Sequence, residues 1–402
     1  MYSLRNGHSV QLLATGQAFF PALIAALDAA QREVHLETYI FHDDAVGTSV
    51  LAALERASLR GVAVYLVVDG IGTPHLQPSW QQRLRQSGVQ WQQFLPLGSL
   101  GLLIPGRWRR LHRKLCVVDR TLGFCGGINI LDDYFELNHG VQSVPRFDFA
   151  VQVRGPLVAD MYLAMSQFWQ RLQATRQLER GQFQEARRAL EHWTVLPRLA
   201  AHEPVAKAAA CGVRAALLVR DNLRNRTRIE RAYRHAIAHA RHEVVIANAY
   251  FLPGVKLRRA LVHAVMRGVK VRLLLQGRYE FFMQYHAAKP VYGSLLDAGV
   301  EIYEYQQGFL HAKVAVVDGR WATVGSSNLD PLSLLLAREA NVVVEDTDFA
   351  HVLLQSLNAA IDLHSKQLDR TQFAHRPVLQ RLKDRLAFGL MRMTLFLTGK
   401  DY

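Results

Sequence analysis

Leu111-His-Arg-Lys-Leu-Cys-Val-Val-Asp119 and Leu310-His-Ala-Lys-Val-Ala-Val-Val-Asp318 are one motif, His-x-Lys-x4-Asp, written twice with its histidines 199 residues apart. Leu115, Val117 and Val118 are apolar, as a buried strand requires. His112 and Lys114, two residues apart, fall on one face of that strand, and so do His311 and Lys313. Burying an imidazole beside an ammonium is costly without a partner or a purpose. A single chance match to the pattern in a chain of this composition has odds of roughly 2%. Two matches at equivalent places leave chance negligible.

The duplication extends well beyond the motif. Glu33-Val-His-Leu-Glu-Thr-Tyr-Ile-Phe41 corresponds to Glu243-Val-Val-Ile-Ala-Asn-Ala-Tyr-Phe251. Arg60-Gly-Val-Ala-Val-Tyr-Leu-Val-Val-Asp-Gly70 corresponds to Arg267-Gly-Val-Lys-Val-Arg-Leu-Leu-Leu-Gln-Gly277. Ser87-Gly-Val-Gln-Trp91 corresponds to Ala298-Gly-Val-Glu-Ile302. Short β-branched runs alternate with helical patterns, and Ser49 to Arg60 and Val255 to Arg267 read as amphipathic helices stopped by glycine. Strand–helix–strand order predicts an α/β fold, with parallel or mixed sheets covered by helices. The expected organisation is a first repeat over 1–171, a linker with a helix around Gly181–His192 over 172–213, a second repeat over 214–367 and a basic tail over 368–402.

Each motif is followed by a glycine turn and an asparagine: Gly126-Gly127-Ile128-Asn129 and Gly325-Ser326-Ser327-Asn328, with the first glycine seven residues after the motif aspartate. Small residues let the backbone approach a ligand, and an amide can donate to an oxyanion. The paired pattern His-x-Lys-x4-Asp-x6-Gly-[Gly/Ser]-x-Asn resembles the phospholipase D superfamily. The stretches Ile246-Ala-Asn-Ala-Tyr-Phe-Leu-Pro-Gly254 and Ala322-Thr-Val-Gly-Ser-Ser-Asn328 are similar to bacterial cardiolipin synthases, and the lack of N-terminal membrane spans points to the B-type among them. Gly127 stands where the second motif has Ser326.

That resemblance implies two phospholipase-D-type α/β/α sandwich domains, packed with pseudo-twofold symmetry around one active site. It implies a phosphatidyltransferase that makes cardiolipin from phosphatidylglycerol and releases glycerol. The implied catalytic set is His112, Lys114, Asp119, His311, Lys313 and Asp318, the aspartates holding turns rather than touching substrate. Gly127, Asn129, Ser326 and Asn328 are expected at the substrate. A neutral imidazole can attack phosphorus and a second can move the alcohol's proton. By resemblance His112 is the nucleophile and His311 the acid/base, although sequence symmetry leaves the order open. Lysines and asparagines would stabilise the non-bridging oxygens. Each imidazole needs an orienting acceptor, and the expected pairs are Asp148 with His112 and Glu339 with His311. No metal and no cofactor are expected.

Composition frames the partners. The chain has 402 residues, 50% hydrophobic, with a formal net charge of +14, which suits anionic phospholipids or nucleic acid. Only 9 of its 48 basic residues are lysines, so a lysine in each motif is informative. Three cysteines without metal spacing fit a reduced cytosolic setting. The absence of a signal peptide or an apolar spanning run predicts peripheral association with the cytoplasmic side of the membrane. Expected partners are the membrane surface and phosphatidylglycerol, with phosphatidylethanolamine open as donor. No DNA-binding module is recognisable, so nucleic acid is disfavoured. A phospholipid hydrolase, a phosphatidylserine synthase-like enzyme, a nuclease and a non-catalytic membrane scaffold are the competing readings. Leu102–Arg110, apolar and basic, suits either a membrane-facing entrance or a solvated loop. Residues 379, 382, 386, 390, 393 and 397 form an apolar helical stripe, suiting either a membrane surface or the protein body. His35 and His42 read as structural.

Overall fold

A computed structural model describes residues 2–96, 108–185, 187–188, 212–221, 225–278, 282–330 and 336–397. The first half runs β1 (Arg5–Ala14), α1 (Thr15–Ala29), β2 (Glu33–Thr38), α2 (Ala45–Leu59), β3 (Ala63–Asp69), α3 (Pro78–Ser87) and β4 (Gln90–Phe94). It continues through β5 (Arg110–Leu111), β6 (Lys114–Val118), β7 (Leu122–Gly126), the hairpin β8 (Phe135–Glu136) and β9 (Gly140–Val141), β10 (Phe149–Arg154) and α4 (Leu157–Glu179). The second half repeats this order: β11 (Val213–Arg220), α5 (Arg228–His239), β12 (Glu243–Asn248), α6 (Val255–Met266), β13 (Lys270–Gln276), α7 (Phe282–Asp297) and β14 (Glu301–Tyr305). There follow β15 (Lys313–Val317), β16 (Trp321–Gly325), β17 (Ala337–Glu345), α8 (Thr347–His364), β18 (Ser365–Gln367), α9 (Arg370–Ala374) and α10 (Val378–Leu397).

Both halves build the same mixed sheet. The first is ordered β1-β10-β7-β6-β2-β3-β4 and the second β11-β17-β16-β15-β12-β13-β14, with β18 on its outer edge. In each, three parallel strands (β2, β3, β4 or β12, β13, β14) continue into an antiparallel meander. The halves meet where β1 and β11 pair antiparallel, Arg5 opposite Ala215 and His8 opposite Val213. Antiparallel pairing of equivalent strands gives the pseudo-twofold relation, and the shared edge leaves neither strand open to a foreign chain.

Three cores follow from the strand alternation. On β6, Cys116 and Val118 point to an outer core with α1 and α2, while Leu115 and Val117 point inward. A matching outer core packs α5, α6 and α7 on the second sheet. The inner faces of both sheets close on one shared core that includes α4 and α8. Helices therefore cover both faces of each sheet, as the α/β/α expectation requires. Asp44 and Asp346 cap the starts of α2 and α8 by accepting the Gly47 and Phe349 amides, both at 2.8 Å.

One expectation about organisation changes. α4 continues to Glu179, so the segment from Leu172 is regular helix rather than linker. Of the helix expected around Gly181–His192, residues 183–185, 187 and 188 are helical, and residues 186 and 189–192 lie outside the described residues. The tail is helical, as its period suggested, and of the two settings its apolar stripe suited, packing on the body is not the one observed. Asp384 and Ala387 are buried against the body, while Leu379, Leu382, Leu386 and Leu390 of the expected stripe are exposed. The side chains of residues 393 and 397 lie outside the described set.

Candidate active site

The histidine and lysine of both motifs sit at one end of the two sheets, where the parallel strands β2, β3, β12 and β13 end and β6 and β15 begin. This is the usual place for a ligand on an α/β sheet. His112 follows β5, whose two residues pair in parallel with Ala337 and Arg338 of β17. The His112 amide donates to the Arg338 carbonyl at 3.0 Å, and the His311 amide donates to the Phe147 carbonyl at 2.9 Å. Each histidine is thus stitched to the residue immediately before the other half's carboxylate, Glu339 or Asp148.

The orienting pairs are consequently crossed. His112 Nδ1 lies 3.1 Å from the Glu339 carboxylate and His311 Nδ1 lies 2.6 Å from Asp148 Oδ2. The expected pairing, Asp148 with His112 and Glu339 with His311, is the reverse of the one observed. The two carboxylates were correctly singled out, but proximity in sequence is not what pairs them. An ionised carboxylate can only accept, so beside an ionised Glu339 His112 Nδ1 carries the proton and Nε2 is left with its lone pair; His311 is in the same state whenever Asp148 is ionised. Both imidazoles line the same cavity of about 530 Å³, together with Asn129 and Asn328.

The lysines complete the core of the site. Lys114 Nζ donates to the His112 carbonyl at 2.7 Å, and Lys313 Nζ makes the equivalent bond to the His311 carbonyl. Burial, aggravated by Lys313, lowers Lys114 to about 7. Burial also lowers His112, and lowers His311 well below its ordinary value, with both lysines adding to the shift of His311. Both imidazoles are therefore neutral in the empty site at pH 7.

The two carboxylates differ. Burial pushes Asp148 up to about 7 against the opposing pull of Lys313 and Lys114. Burial would also raise Glu339, but His112, Lys114 and the Ser326 hydroxyl outweigh it and hold the group below its ordinary value. Ser326 Oγ donates to Glu339 Oε2 at 2.5 Å. A Cβ at Gly127 would collide with the Asp148 carboxylate. The departure of Gly127 from Ser326 thus accompanies the shorter carboxylate: glycine makes room for Asp148, and serine supplies a donor to Glu339.

The motif aspartates lie at the far ends of the same strands. Asp119 accepts from the amides of Gln31, Arg32 and Glu33 at 2.7 to 2.9 Å. Asp318 accepts from those of Arg241, His242 and Glu243 at 2.8 to 2.9 Å. Both have φ of +50°, a left-handed conformation that aspartate tolerates better than most residues. Five residues of strand separate Asp119 from Lys114, about 16 Å. Asp119 and Asp318 are accordingly corrected from the catalytic set to the anchoring of the β6–β7 and β15–β16 turns.

Several residues at the site escaped the sequence reading. Tyr39 packs against His112 with centroids 4.9 Å apart, and Lys114 Nζ lies 5.3 Å from the centre of the Tyr39 ring. Tyr250, which stands at the position of Ile40 in the second repeat, also lines the cavity, as does Ile40 itself. Asp69 accepts the Leu111 amide at 2.7 Å and so fixes the strand before His112. Buried Arg146 pairs with Glu136 and reaches the Phe135 carbonyl, holding the β8–β9 hairpin whose Leu137 lines the cavity. Tyr39, Tyr250 and Asp69 stand inside the repeated words, and their polarity at strand ends was the available signal. Of the Leu102–Arg110 segment only Trp108 to Arg110 is described, and Trp108 and Arg110 line the cavity. Asn129 Oδ1 accepts the Ile40 amide at 3.3 Å, which leaves its NH2 as the donor. Among the described residues no cluster of three or more His, Cys, Asp or Glu could hold a metal ion.

The family described as "Cardiolipin synthase, PLD-like domain" matches residues 23–144 and 233–361, one match per repeat. The chain belongs to this family. It is 37% identical over 398 residues to cardiolipin synthase B of Escherichia coli (strain K12), covering 99% of this chain and 91% of that protein. It is 31% identical over 372 residues to cardiolipin synthase 2 of Bacillus anthracis, covering 92% of this chain and 68% of that one. Among solved structures, phosphatidylserine synthase of Haemophilus influenzae Rd KW20 superposes with a TM-score of 0.66 at 13% identity, covering 96% of this chain and 93% of that one. At that identity the likeness concerns the fold alone. Family membership and the duplicated fold are as the motif resemblance implied.

The anchoring role of the motif aspartates is open to measurement. Asp119→Ala removes one acceptor from three backbone amides and is expected to cost about 1–2 kcal/mol in urea unfolding. Activity per folded molecule is expected to stay near wild type. A folded variant with its chemistry abolished would return Asp119 to the site.

Proposed function

We propose that the protein is a phosphatidyltransferase that joins two phosphatidylglycerol molecules into cardiolipin and releases glycerol. The observation that carries this reading is the pair of Nδ1-anchored imidazoles, one from each repeat, opening onto one cavity with the motif lysines buried directly behind them. The full-length likeness to cardiolipin synthases supplies the substrate class.

A phosphodiester bears a negative charge and repels anionic nucleophiles, which favours attack by a neutral imidazole. In this reading His112 Nε2 attacks phosphorus, the bond from phosphorus to the headgroup glycerol oxygen breaks, and the Asp148–His311 pair, which enters the cycle with Asp148 protonated, passes that extra proton through His311 Nε2 to the oxygen as glycerol leaves. His311 then takes a proton from a terminal hydroxyl of the second phosphatidylglycerol. That oxygen attacks phosphorus, the phosphorus–nitrogen bond breaks and cardiolipin departs. Lys114, Lys313 and the two asparagines stabilise charge on the non-bridging oxygens. The difference between the carboxylates supports this division of labour. A phosphorylated imidazole that keeps its Nδ1 proton is cationic and needs a persistently ionised neighbour, which is Glu339. A proton-transfer pair works best near ambient pH, which suits Asp148 and His311.

The test is to incubate purified protein with phosphatidylglycerol in EDTA and identify the lipids by mass spectrometry. Cardiolipin with stoichiometric glycerol is expected, because the two lysines supply the charge that a metal otherwise would. Phosphatidic acid alone would make the protein a hydrolase. Activity lost in EDTA and restored by a divalent ion would overturn the proposed source of charge.

The two histidines are expected to fail differently with a chromogenic phosphodiester whose leaving group needs no protonation. His112→Ala forms no covalent adduct. His311→Ala accumulates one, visible as intact-protein mass after acid quench, because nothing activates the acceptor. Loss of turnover by at least about 10²-fold is expected in each. An adduct on His112→Ala and none on His311→Ala would exchange the roles.

The pH profile carries a sign. As pH rises through about 7, the empty site loses the proton of the Asp148–His311 pair and the charge of Lys114. Since kcat/KM reports the free enzyme, it is expected to fall on the alkaline side with a midpoint near 7. A bound phosphodiester anion favours the ammonium, so kcat is expected to hold to higher pH. A kcat/KM that rises through this range would contradict the assignment.

A further inference from the structure

The tail helix α10 has two distinct faces. The inner one is pinned to the body: Asp384 pairs with His286 of α7 at 2.7 Å and with Arg376 at 3.0 Å, and Ala387 is buried beside it. The outer one carries Leu379, Leu382, Leu386 and Leu390, which are 48% to 64% exposed. At 3.6 residues per turn these four fall within an arc of about 80°. Lys383 lies on one flank of the stripe and Arg385 on the other, with Arg381 further round the helix toward the body. All three cations are exposed, and none has a carboxylate partner among the described residues.

A stripe of exposed leucines on a helix already fixed to the body is not accounted for by packing. Soluble surfaces rarely leave such a row uncovered unless it is an interaction site. The flanking charge selects the occupant. Cations on both sides of an apolar stripe, on a chain of net charge +14, are complementary to an anionic surface with an apolar interior. A water-soluble protein partner would have to supply an apolar groove with acidic rims, whereas a bilayer of anionic phospholipid supplies both at once.

The geometry points to α10 as the element that docks the protein on the membrane, its leucine stripe lying in the acyl boundary and the flanking Lys383 and Arg385 on lipid phosphates. The inference rests on the phospholipid reading only for the identity of its occupant. Because Asp384 locks the helix to α7, which packs on the second sheet, docking through α10 holds the catalytic body at the surface as a rigid unit. The helix does not cross: among the described residues no helix is long and apolar enough to span a membrane.

The experiment uses the full chain. Sedimentation with vesicles of phosphatidylglycerol and phosphatidylcholine is compared for wild type, Leu382→Glu/Leu386→Glu and Lys383→Gln/Arg385→Gln. Each variant is expected to bind at least about tenfold more weakly, the lower bound for removing a leucine's burial. Only the contribution of the two cations is expected to vanish in high salt. Transfer activity on monomeric short-chain phosphatidylglycerol is expected to remain, since none of these residues lines the site. A polarity-sensitive probe on Leu386→Cys, which needs no charge in the stripe, is expected to shift to the blue on anionic vesicles. Unchanged binding of the leucine variant, or no spectral shift, overturns the proposal. So does a leucine variant that changes the protein's oligomeric state in the absence of lipid, because the stripe would then face a second copy. Stripe-dependent binding by a wild type that makes no lipid product would leave the docking intact and remove the functional reading instead.

Discussion

Two backbone hydrogen bonds set the geometry on which the site depends: His112 N to Arg338 O, and His311 N to Phe147 O. Each lies one residue before the carboxylate that accepts from the histidine it anchors. Strand alternation then turns the imidazole and the carboxylate toward the same side. The crossing makes the halves chemically interdependent. A single repeat would expose an imidazole without its acceptor and a buried carboxylate without its donor. Removing one partner of such a buried pair typically costs roughly 3–5 kcal/mol, because the other charge is left uncompensated. Interleaving thus ties assembly of the site to assembly of the shared core. The sheet junction between β1 and β11 supplies the remaining constraint on how the two halves face each other.

Within that symmetric frame, one pair of substitutions breaks the symmetry. Asp148 with Gly127 and Glu339 with Ser326 are two solutions to holding an imidazole by Nδ1. The aspartate carboxylate occupies the space a Ser326-like side chain would need at Gly127. It accepts only its own neighbour's amide, from Phe149 at 2.8 Å, besides the His311 ring. The glutamate is longer, lies wholly buried and gains a hydroxyl donor. An extra donor to a carboxylate favours its ionised form. Two histidines with identical motif words therefore acquire different proton affinities in their acceptors. Acid/base and nucleophilic roles need that distinction, and the motif itself does not contain it.

Much of this was legible in the sequence because duplication is a redundant signal. Words such as Glu33–Phe41 and Glu243–Phe251 place β2 and β12, and the motif positions place β6 and β15 with their polar residues at the strand ends. The crossed pairing was not legible. Asp148 and Glu339 follow their own motifs at comparable distances, so local pairing is the natural reading. Only the parallel pairing of β5 with β17, a contact between distant segments, reverses it. The orientation of α10 was hidden for a related reason. Its period is helical on both faces, and the face that packs is chosen by one buried carboxylate, Asp384, meeting His286 and Arg376. A pattern of leucines alone suits a membrane surface and the protein body equally, so it does not choose between them.

The lysines show how the fold and the chemistry constrain each other. Lys114 and Lys313 are buried among groups that cannot neutralise them fully, and Lys114 is driven down to about 7. Each ammonium spends one hydrogen on the carbonyl of its own motif histidine, two residues back. That bond fixes the backbone that carries the imidazole. An empty site of this kind is electrostatically strained: two neutral imidazoles and two crowded ammonium groups lie at the end of a rigid sheet. A phosphodiester relieves that strain by supplying a single negative charge where both lysines converge. The cost of burying the cations is thus partly recovered when substrate binds. It is recovered further as charge builds on the non-bridging oxygens, which is the condition for stabilising the transition state more than the ground state.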